Sequence, residues 1–503
     1  MIVPGKKYEK TEVVNASDDA PSQKSETKFS KKYFGFRFAA ILVGLLPFLI
    51  FELILSFGGW SAPDGVKDPY VGFTASRPLF VKNTDGNRFE IAEYRKPLFC
   101  TDSFATQKSQ NEFRIFCIGG STVQGRPFAI ETSFSTWLKE SLIAADDSKN
   151  WTVVNCGGVS YASYRLAPIV EEVCNNYEPD LIVLYTGHNE FLEDRTYDAV
   201  KSNPWVTEVH DRLSRLKTYS YLRSLAVDNS TEPNPSNTLT EEVEARLDFK
   251  GGLEKYSRDD SWKSGVVNHF AHNLRRMMNA AQTAGVPIVL CNPVANLRDA
   301  SPFKSENQTG LSKMELEKFE KEWSLIESGK VDEHKELEIL QKMVKLHPRH
   351  AGLQYRVGQR YQLAGDFTKA KQHLVQAKDQ DICPLRIVEP MYKVIEDVRA
   401  EFDPIFVDVK SKFEQHAKDQ IPGRELLVDH VHPSIRGHQL IAEFIFDEMV
   451  ARQVIEPVEN FEALKSERIQ AHLSSLPHLY FQLGKDRLAG LKRWAEGKVT
   501  KEK

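Results

Sequence analysis

The sequence predicts an α/β fold of three layers, a parallel sheet covered by helices on both faces. Two observations carry this: five short, nearly continuous apolar runs separated by helical periodicity, and loops rich in glycine and polar residues where three of those runs end. At 503 residues the chain exceeds a usual single domain, so further units are expected beside the sheet.

Strand one is Phe113 to Ile118, and a helix around Phe134 to Ala144 follows, with Thr132 or Ser133 as its cap. Strand two is Trp151 to Asn155, followed by a helix with Leu166, Ile169, Val170 and Val173 on one face. Strand three is Leu181 to Tyr185. A helix ending at Ala284 leads to strand four, Pro287 to Cys291, and a helix over Met391 to Phe402 precedes strand five, Pro404 to Val409. The polar stretch 195–262 supports only short helices, as a cap or loop layer near the strand ends.

Outside the sheet, residues 1–35 are polar and lack periodicity, the pattern of a disordered cytoplasmic tail. Residues 36–58 contain the apolar run Phe38 to Phe57, close to the about 20 residues that cross a bilayer. Lys24, Lys28, Lys31, Lys32 and Arg37 precede it, which puts the N-terminus in the cytoplasm and the bulk of the chain outside. An uncleaved anchor is preferred to a cleavable signal or an interfacial helix because no small-x-small site follows. Glu52 is the exception in the run, near enough its outer end to reach the headgroups. Residues 59–112, with the turn Thr84-Asp85-Gly86-Asn87, read as a β-rich lead-in. The core domain then spans 113–304 and 386–455, interrupted by a helical insertion over 305–385 and followed by a helical tail over 456–503. In the tail Leu483, Leu488, Leu491 and Trp494 form a stripe suited to docking on the core.

A net charge of −4, with 27% charged residues, gives no basic excess of the kind phosphate backbones attract, so nucleic acid is not an expected partner. The six cysteines lack CxxC or CxxH spacing, and neither a zinc site nor any other metal or cofactor is expected. Cys117, Cys156 and Cys291 fall in or beside core strands; a disulfide within Cys100, Cys174 and Cys383 stays open.

In a parallel sheet the loops after the strands converge on one edge. Here they carry Gly119-Gly120-Ser121, Asn155 to Ser160, and Gly187-His188-Asn189-Glu190, while Asp429-His430-Val431-His432-Pro433 follows strand five. A serine hydroxyl, an imidazole and a carboxylate are what nucleophilic acyl transfer needs, since serine attacks poorly until a base takes its proton. A P-loop lysine and a GxGxxG fingerprint are absent, and Val123 stands where an α/β-hydrolase elbow needs glycine. His188 and His438 are expected to be structural, Asn155 and Asn189 are common turn formers, and Pro433 suits the first turn of a following helix.

The four blocks, in this order, resemble the SGNH or GDSL hydrolase superfamily over about 113–300 and 386–452. The resemblance implies a flavodoxin-like sheet, Ser121 as nucleophile, His432 as base and Asp429 as its orienting carboxylate. It also implies an oxyanion hole from the backbone N–H groups of Ser121 and Ser160 and the side-chain amide of Asn189. Gly120 replaces the family's acidic residue and Ser160 its glycine. Within the insertion, Gly358, Tyr361, Gly365, Ala370, Leu374 and Ala377 resemble a tetratricopeptide repeat, with Gln354 at the tryptophan-like position and Pro384 two residues late. Leu340, Met343 and Pro348 fit a degenerate preceding copy. The expected function is a membrane-anchored, outward-facing ester hydrolase acting on an acyl ester of a glycan or lipid. The alternative is an inactive anchored scaffold that binds a protein through the insertion.

Overall fold

The computed structural model describes residues 31–58, 68, 70–73, 77–197, 213, 216–226 and 238–498; the tail expected over 1–35 lies, up to residue 30, outside them. Five strands, β1 (Glu112–Gly119), β2 (Asn150–Gly157), β3 (Leu181–Tyr185), β4 (Ile288–Cys291) and β5 (Ile405–Val407), form one parallel sheet in the order β2-β1-β3-β4-β5. The chain therefore reverses its direction of travel across the sheet between β1 and β3, the position at which open α/β sheets bind their ligands.

Side chains alternate across a strand, so each run feeds two cores. Phe116, Ile118, Ile182, Leu184 and Leu290 lie in one with helices α2 (Ser163–Asn176), α3 (Asp260–Ala284) and α4 (Glu389–Phe402). Ile115, Cys117, Val183, Val289 and Val407 lie in the other with α1 (Phe134–Ala145) and α5 (Ile435–Ala451). Burial on both faces explains why the strands read as continuous rather than alternating apolar runs. Ser133 is the cap of α1, accepting from Ser135 N, and α3 ends at Gly285 with φ 69°.

Two expectations are corrected and two open readings are completed. Strand five stops at Val407, short of Val409, because the Asp408 carboxylate accepts from Ser411 N at 3.0 Å and starts a helix, Val409–His416. Pro433 precedes the helix instead of lying in its first turn: Ser434 is the cap of α5 and accepts from Gly437 N at 3.1 Å. All six cysteines are free, so the pairing left open among Cys100, Cys174 and Cys383 does not form. The tail is two helices, Phe461–Ser475 and His478–Ala495; of the docking stripe Leu483 is exposed, whereas Trp494 packs beside buried Ala495 and donates to Asp248 at 2.8 Å.

The lead-in strands Phe80–Lys82, Arg88–Ile91 and Ser103–Ala105 make an antiparallel sheet that turns at Gly86, φ 69°. Buried Arg114 clamps it to the core, donating to Ala105 O at 3.1 Å, Tyr177 O at 2.8 Å and Glu112 at 2.8 Å.

The N-terminal helix runs Lys31–Phe57; side chains at 31–39, 41 and 42 lie outside the described residues. Val43, Leu46, Leu49 and Phe57 are exposed. Among the described residues no helix is long and apolar enough to cross a membrane. Glu52 does not point to solvent: its carboxylate accepts from Lys217 N at 2.8 Å and Thr218 N at 2.7 Å, filling two orphan donors at the start of the helix Lys217–Ala226.

The insertion contains helices Lys313–Glu327, Glu333–Leu346, Ala351–Leu363 and Phe367–Asp379. The last two interlock where Gly358 meets Leu374: a Cβ on Gly358 would stand 2.7 Å from Leu374 Cγ and 3.1 Å from Ala370 O. Gln354 is buried and bridges, donating to Pro348 O at 2.7 Å and lying 2.7 Å from His373 Nδ1. Gly358→Val forces this pair apart and should destabilise the insertion by about 1–3 kcal/mol, the usual penalty of overpacking. Thermal denaturation of the full chain reads it, and an unchanged melting profile would contradict the close approach.

Candidate active site

The site begins with two glycines that let the chain turn out of β1. A Cβ on Gly119 would lie 2.1 Å from Tyr185 O and 2.3 Å from Val123 Cγ2, and one on Gly120 would lie 2.5 Å from Asn189 Nδ2. The Asn189 amide therefore lies against the turn at Gly120. Ser121 opens a short helix, Ser121–Gln124, closed by Gly125 at φ 99°. Asn155, at the end of β2, braces that turn: Nδ2 donates to Val123 O at 2.7 Å and Ser135 Oγ at 2.8 Å, and Oδ1 accepts from Gly157 N at 2.9 Å.

His432 arrives from the far end of the chain with Nε2 at 2.8 Å from Ser121 Oγ and Nδ1 at 2.7 Å from Asp429 Oδ2. Asp429 Oδ1 also accepts from Val431 N at 2.9 Å and His432 N at 2.8 Å, so the carboxylate folds its own loop. Asp429 does not cap α5, a task that falls to Ser434. Burial by itself would raise the Asp429 carboxyl, but the His432 and His430 imidazoles and the hydrogen bonds from His432 hold it well below the usual carboxylate range. An ionised Asp429 keeps the proton of neutral His432 on Nδ1 and leaves Nε2 as the acceptor facing the Ser121 hydroxyl. Ser121 and His432 are 9% and 4% exposed, so the pair is buried.

Ser160 and Asn189 join the same loop cluster. Ser160 adopts φ 62°, the left-handed conformation that costs a residue with a Cβ about 1–2 kcal/mol. The amide of Asn189 donates to the carbonyl of the next residue, Tyr161, at 3.0 Å. The lead-in forms the wall behind: Leu98 O accepts from Val159 N at 2.9 Å, and Arg95 donates to the Tyr161 hydroxyl at 3.0 Å.

Three further histidines surround His432. His188 Nδ1 accepts from Ile387 N at 3.2 Å, and His438 Nδ1 accepts from Phe134 N at 3.3 Å, both structural uses of a neutral ring. Burial, with His432 nearby, takes His438 down to about 3; burial takes His430 to about 4 despite the opposing Asp429 charge. His188 is held well below its ordinary value by burial, then by His430 and His432.

Sequence reasoning missed Asn296 and Arg386. Asn296 Nδ2 donates to Asp429 O at 3.0 Å and its backbone N to His430 O at 3.0 Å; Arg386 donates to Asn296 O at 2.9 Å and Ala300 O at 2.8 Å. The loop after β4, which holds Asn296, lies on the same edge as the other three and could have been found by that rule. Among the described residues no group of three or more His, Cys, Asp or Glu side chains is arranged to hold a metal ion.

No family model and no curated protein matches the chain. Solved structures do. An acetylxylan esterase from Geobacillus stearothermophilus is 14% identical, with a TM-score of 0.30 over 68% of this chain and 96% of that one. A lipase/acylhydrolase from Enterococcus faecalis is 13% identical, with a TM-score of 0.30 over 69% of this chain and 99% of that one.

The depressed histidines set a pH window. His430 and His438 titrate near 4 and 3 when folded, against 6.5 for the free side chain, so the unfolded chain binds more protons in between. Their contribution to stability is fully present above about pH 6.5 and is lost as pH falls through about 4. The melting temperature should therefore fall steadily over that interval; a flat profile would show that these rings are not buried neutral.

Proposed function

We propose that this chain is a serine ester hydrolase with Ser121 as nucleophile, His432 as general base and Asp429 as the carboxylate that orients it. The observation that carries the reading is the buried hydrogen-bonded line from Ser121 Oγ through both His432 nitrogens to Asp429. The motif resemblance to SGNH hydrolases points the same way.

On this reading His432 Nε2 takes the hydroxyl proton as Ser121 Oγ attacks the acyl carbon, and Asp429 stabilises the resulting imidazolium. The carbonyl electrons move onto oxygen, where the backbone N–H groups of Ser121 and Ser160 and the amide of Asn189 receive the charge. Asn189 spends one amide hydrogen on Tyr161 O, and the second is the one available to the oxyanion. Collapse breaks the bond to the alcohol, which leaves with the proton from His432. Water then repeats the sequence and releases the acid. The four-helix insertion is, on this reading, a tetratricopeptide-like unit that binds a protein partner. The helix Lys31–Phe57, preceded by basic residues, is the single-pass anchor that holds the hydrolase outside the cytoplasm, where O-acyl groups on envelope glycans are the accessible esters.

The full chain in detergent should hydrolyse short-chain nitrophenyl esters. Ser121→Ala should lower kcat by at least about 1,000-fold with an unchanged melting temperature, and Asp429→Asn by a similar factor. Equal turnover in wild type and Ser121→Ala would remove the nucleophile. Alkaline extraction of cell membranes tests the anchor separately: the chain stays with the lipid if residues 36–58 span it, and release into the supernatant contradicts the span.

A further inference from the structure

The exit of the helical insertion is tied to both halves of the candidate site. Asp381, buried near the end of the insertion, holds its two ends together: Oδ2 accepts from Phe303 N at 2.9 Å, and Oδ1 accepts from Lys304 N and Cys383 N, each at 3.1 Å. Arg386, the first residue beyond the insertion, is 2% exposed, and its Nη2 stands 3.7 Å from Asp381 Oδ2. Its Nη1 is the group that donates to both Asn296 O and Ala300 O. Asn296 in turn holds the Asp429 and His430 carbonyls, and the Phe303 ring packs edge-on against His430 with centroids 5.0 Å apart. One residue further, Ile387 N donates to His188 Nδ1, next to Asn189, while Ile387 O accepts from buried Lys378 Nζ at 2.7 Å. Residues 381–387 therefore link the loop that carries the acid and base to the loop that carries Asn189.

The helices of the insertion reach the acid–base loop by a second route. Tyr355 OH, on the helix Ala351–Leu363, donates to Arg298 O at 2.8 Å, and the Leu297 and Arg298 N–H groups donate to Pro422 O at 3.0 and 3.1 Å. Gln362, on the same helix, donates to Asp419 Oδ2 at 3.2 Å. Hydrogen bonds in a dry interior are strong, and a planar guanidinium fixes the direction of each bond it makes, which a lysine ammonium does not. Proton transfer from Ser121 to His432 needs that precision, since a displacement of about 1 Å can cost about 100-fold in rate.

We propose that Arg386 is a positioning residue through which the helical insertion sets the placement of Asp429 and His432, and so the activity of Ser121. This rests on the ester hydrolase reading for the reaction it affects, though not for the contacts themselves. A change at the insertion's two ends passes from Asp381 to Arg386, from Arg386 to Asn296 O, and from Asn296 to the Asp429 carbonyl. The helices are then a control element of the hydrolase, and what reshapes them is read as a change in kcat. KM stays as it is, because the groups displaced are the base and its carboxylate and not those that hold the ester.

The test uses the full chain in detergent. Arg386→Lys keeps the charge beside Asp381 but loses the fork on Asn296 O and Ala300 O, and Asp381→Asn keeps an acceptor for the insertion's ends but loses the charge facing Arg386. With 4-nitrophenyl acetate each should lower kcat by about 10–100-fold at unchanged KM. No loss, or a loss that falls on KM, overturns the proposal. Where these buried variants fail to fold, Tyr355→Phe carries the test, since it removes only a half-buried hydroxyl. It should give a smaller loss of kcat at unchanged KM, and an unchanged kcat overturns the proposal. A second arm needs no turnover: the proton that His432 Nδ1 shares with Asp429 gives a low-field proton resonance, identified by its loss in His432→Gln. That resonance should shift in each folded variant, and one that keeps its position overturns the proposal. If wild type turns over no ester while the resonance shifts, the hydrolase reading fails and the coupling stands.

Discussion

The meeting of Ser121 and His432, 311 residues apart in sequence, is the contact on which the functional reading depends. Neither residue is preorganised by its own loop alone. Ser121 is aimed by the Gly119-Gly120 exit from β1 and by Asn155 from β2, whereas His432 is aimed by Asp429 and, through Asn296, by the loop after β4. The parallel sheet is what makes this convergence possible, because it delivers all these loops to one edge. The insertion and the lead-in leave that edge intact: one enters between β4 and β5, the other builds a wall behind Tyr161.

Much of this was legible in the sequence, for a physical reason. The five strands are buried on both faces, so they appear as apolar runs whatever surrounds them; Ser121 and Asn189 stand in short loops right after strand ends, and Asp429 and His432 in the loop just before α5. Element ends were harder to read. Strand five and α5 were misjudged by two or so residues because Asp408 and Ser434 act as caps, and a side chain becomes a cap only through the geometry of the turn it closes. Asn296, Arg386 and Glu52 were invisible as partners because each holds a backbone group 90 or more residues away, and one-dimensional spacing carries no trace of such contacts.

The two departures from the motif pattern that the sequence resembles differ in kind. At Gly120 the Asn189 amide lies 2.5 Å from where a Cβ would stand, and no proton-transfer group is lost with the acid. Ser160 keeps the left-handed backbone that a glycine adopts freely and accepts its strain; the site therefore keeps the loop shape while carrying a hydroxyl of no assigned role.

The central claim is that His432 activates Ser121. Intact-mass measurement of the full chain after exposure to a fluorophosphonate ester tests it most directly. The account predicts one adduct, mapped to Ser121, whose rate of formation collapses in His432→Gln while the fold is retained. Labelling that is absent in wild type, or that proceeds equally fast without His432, would contradict it.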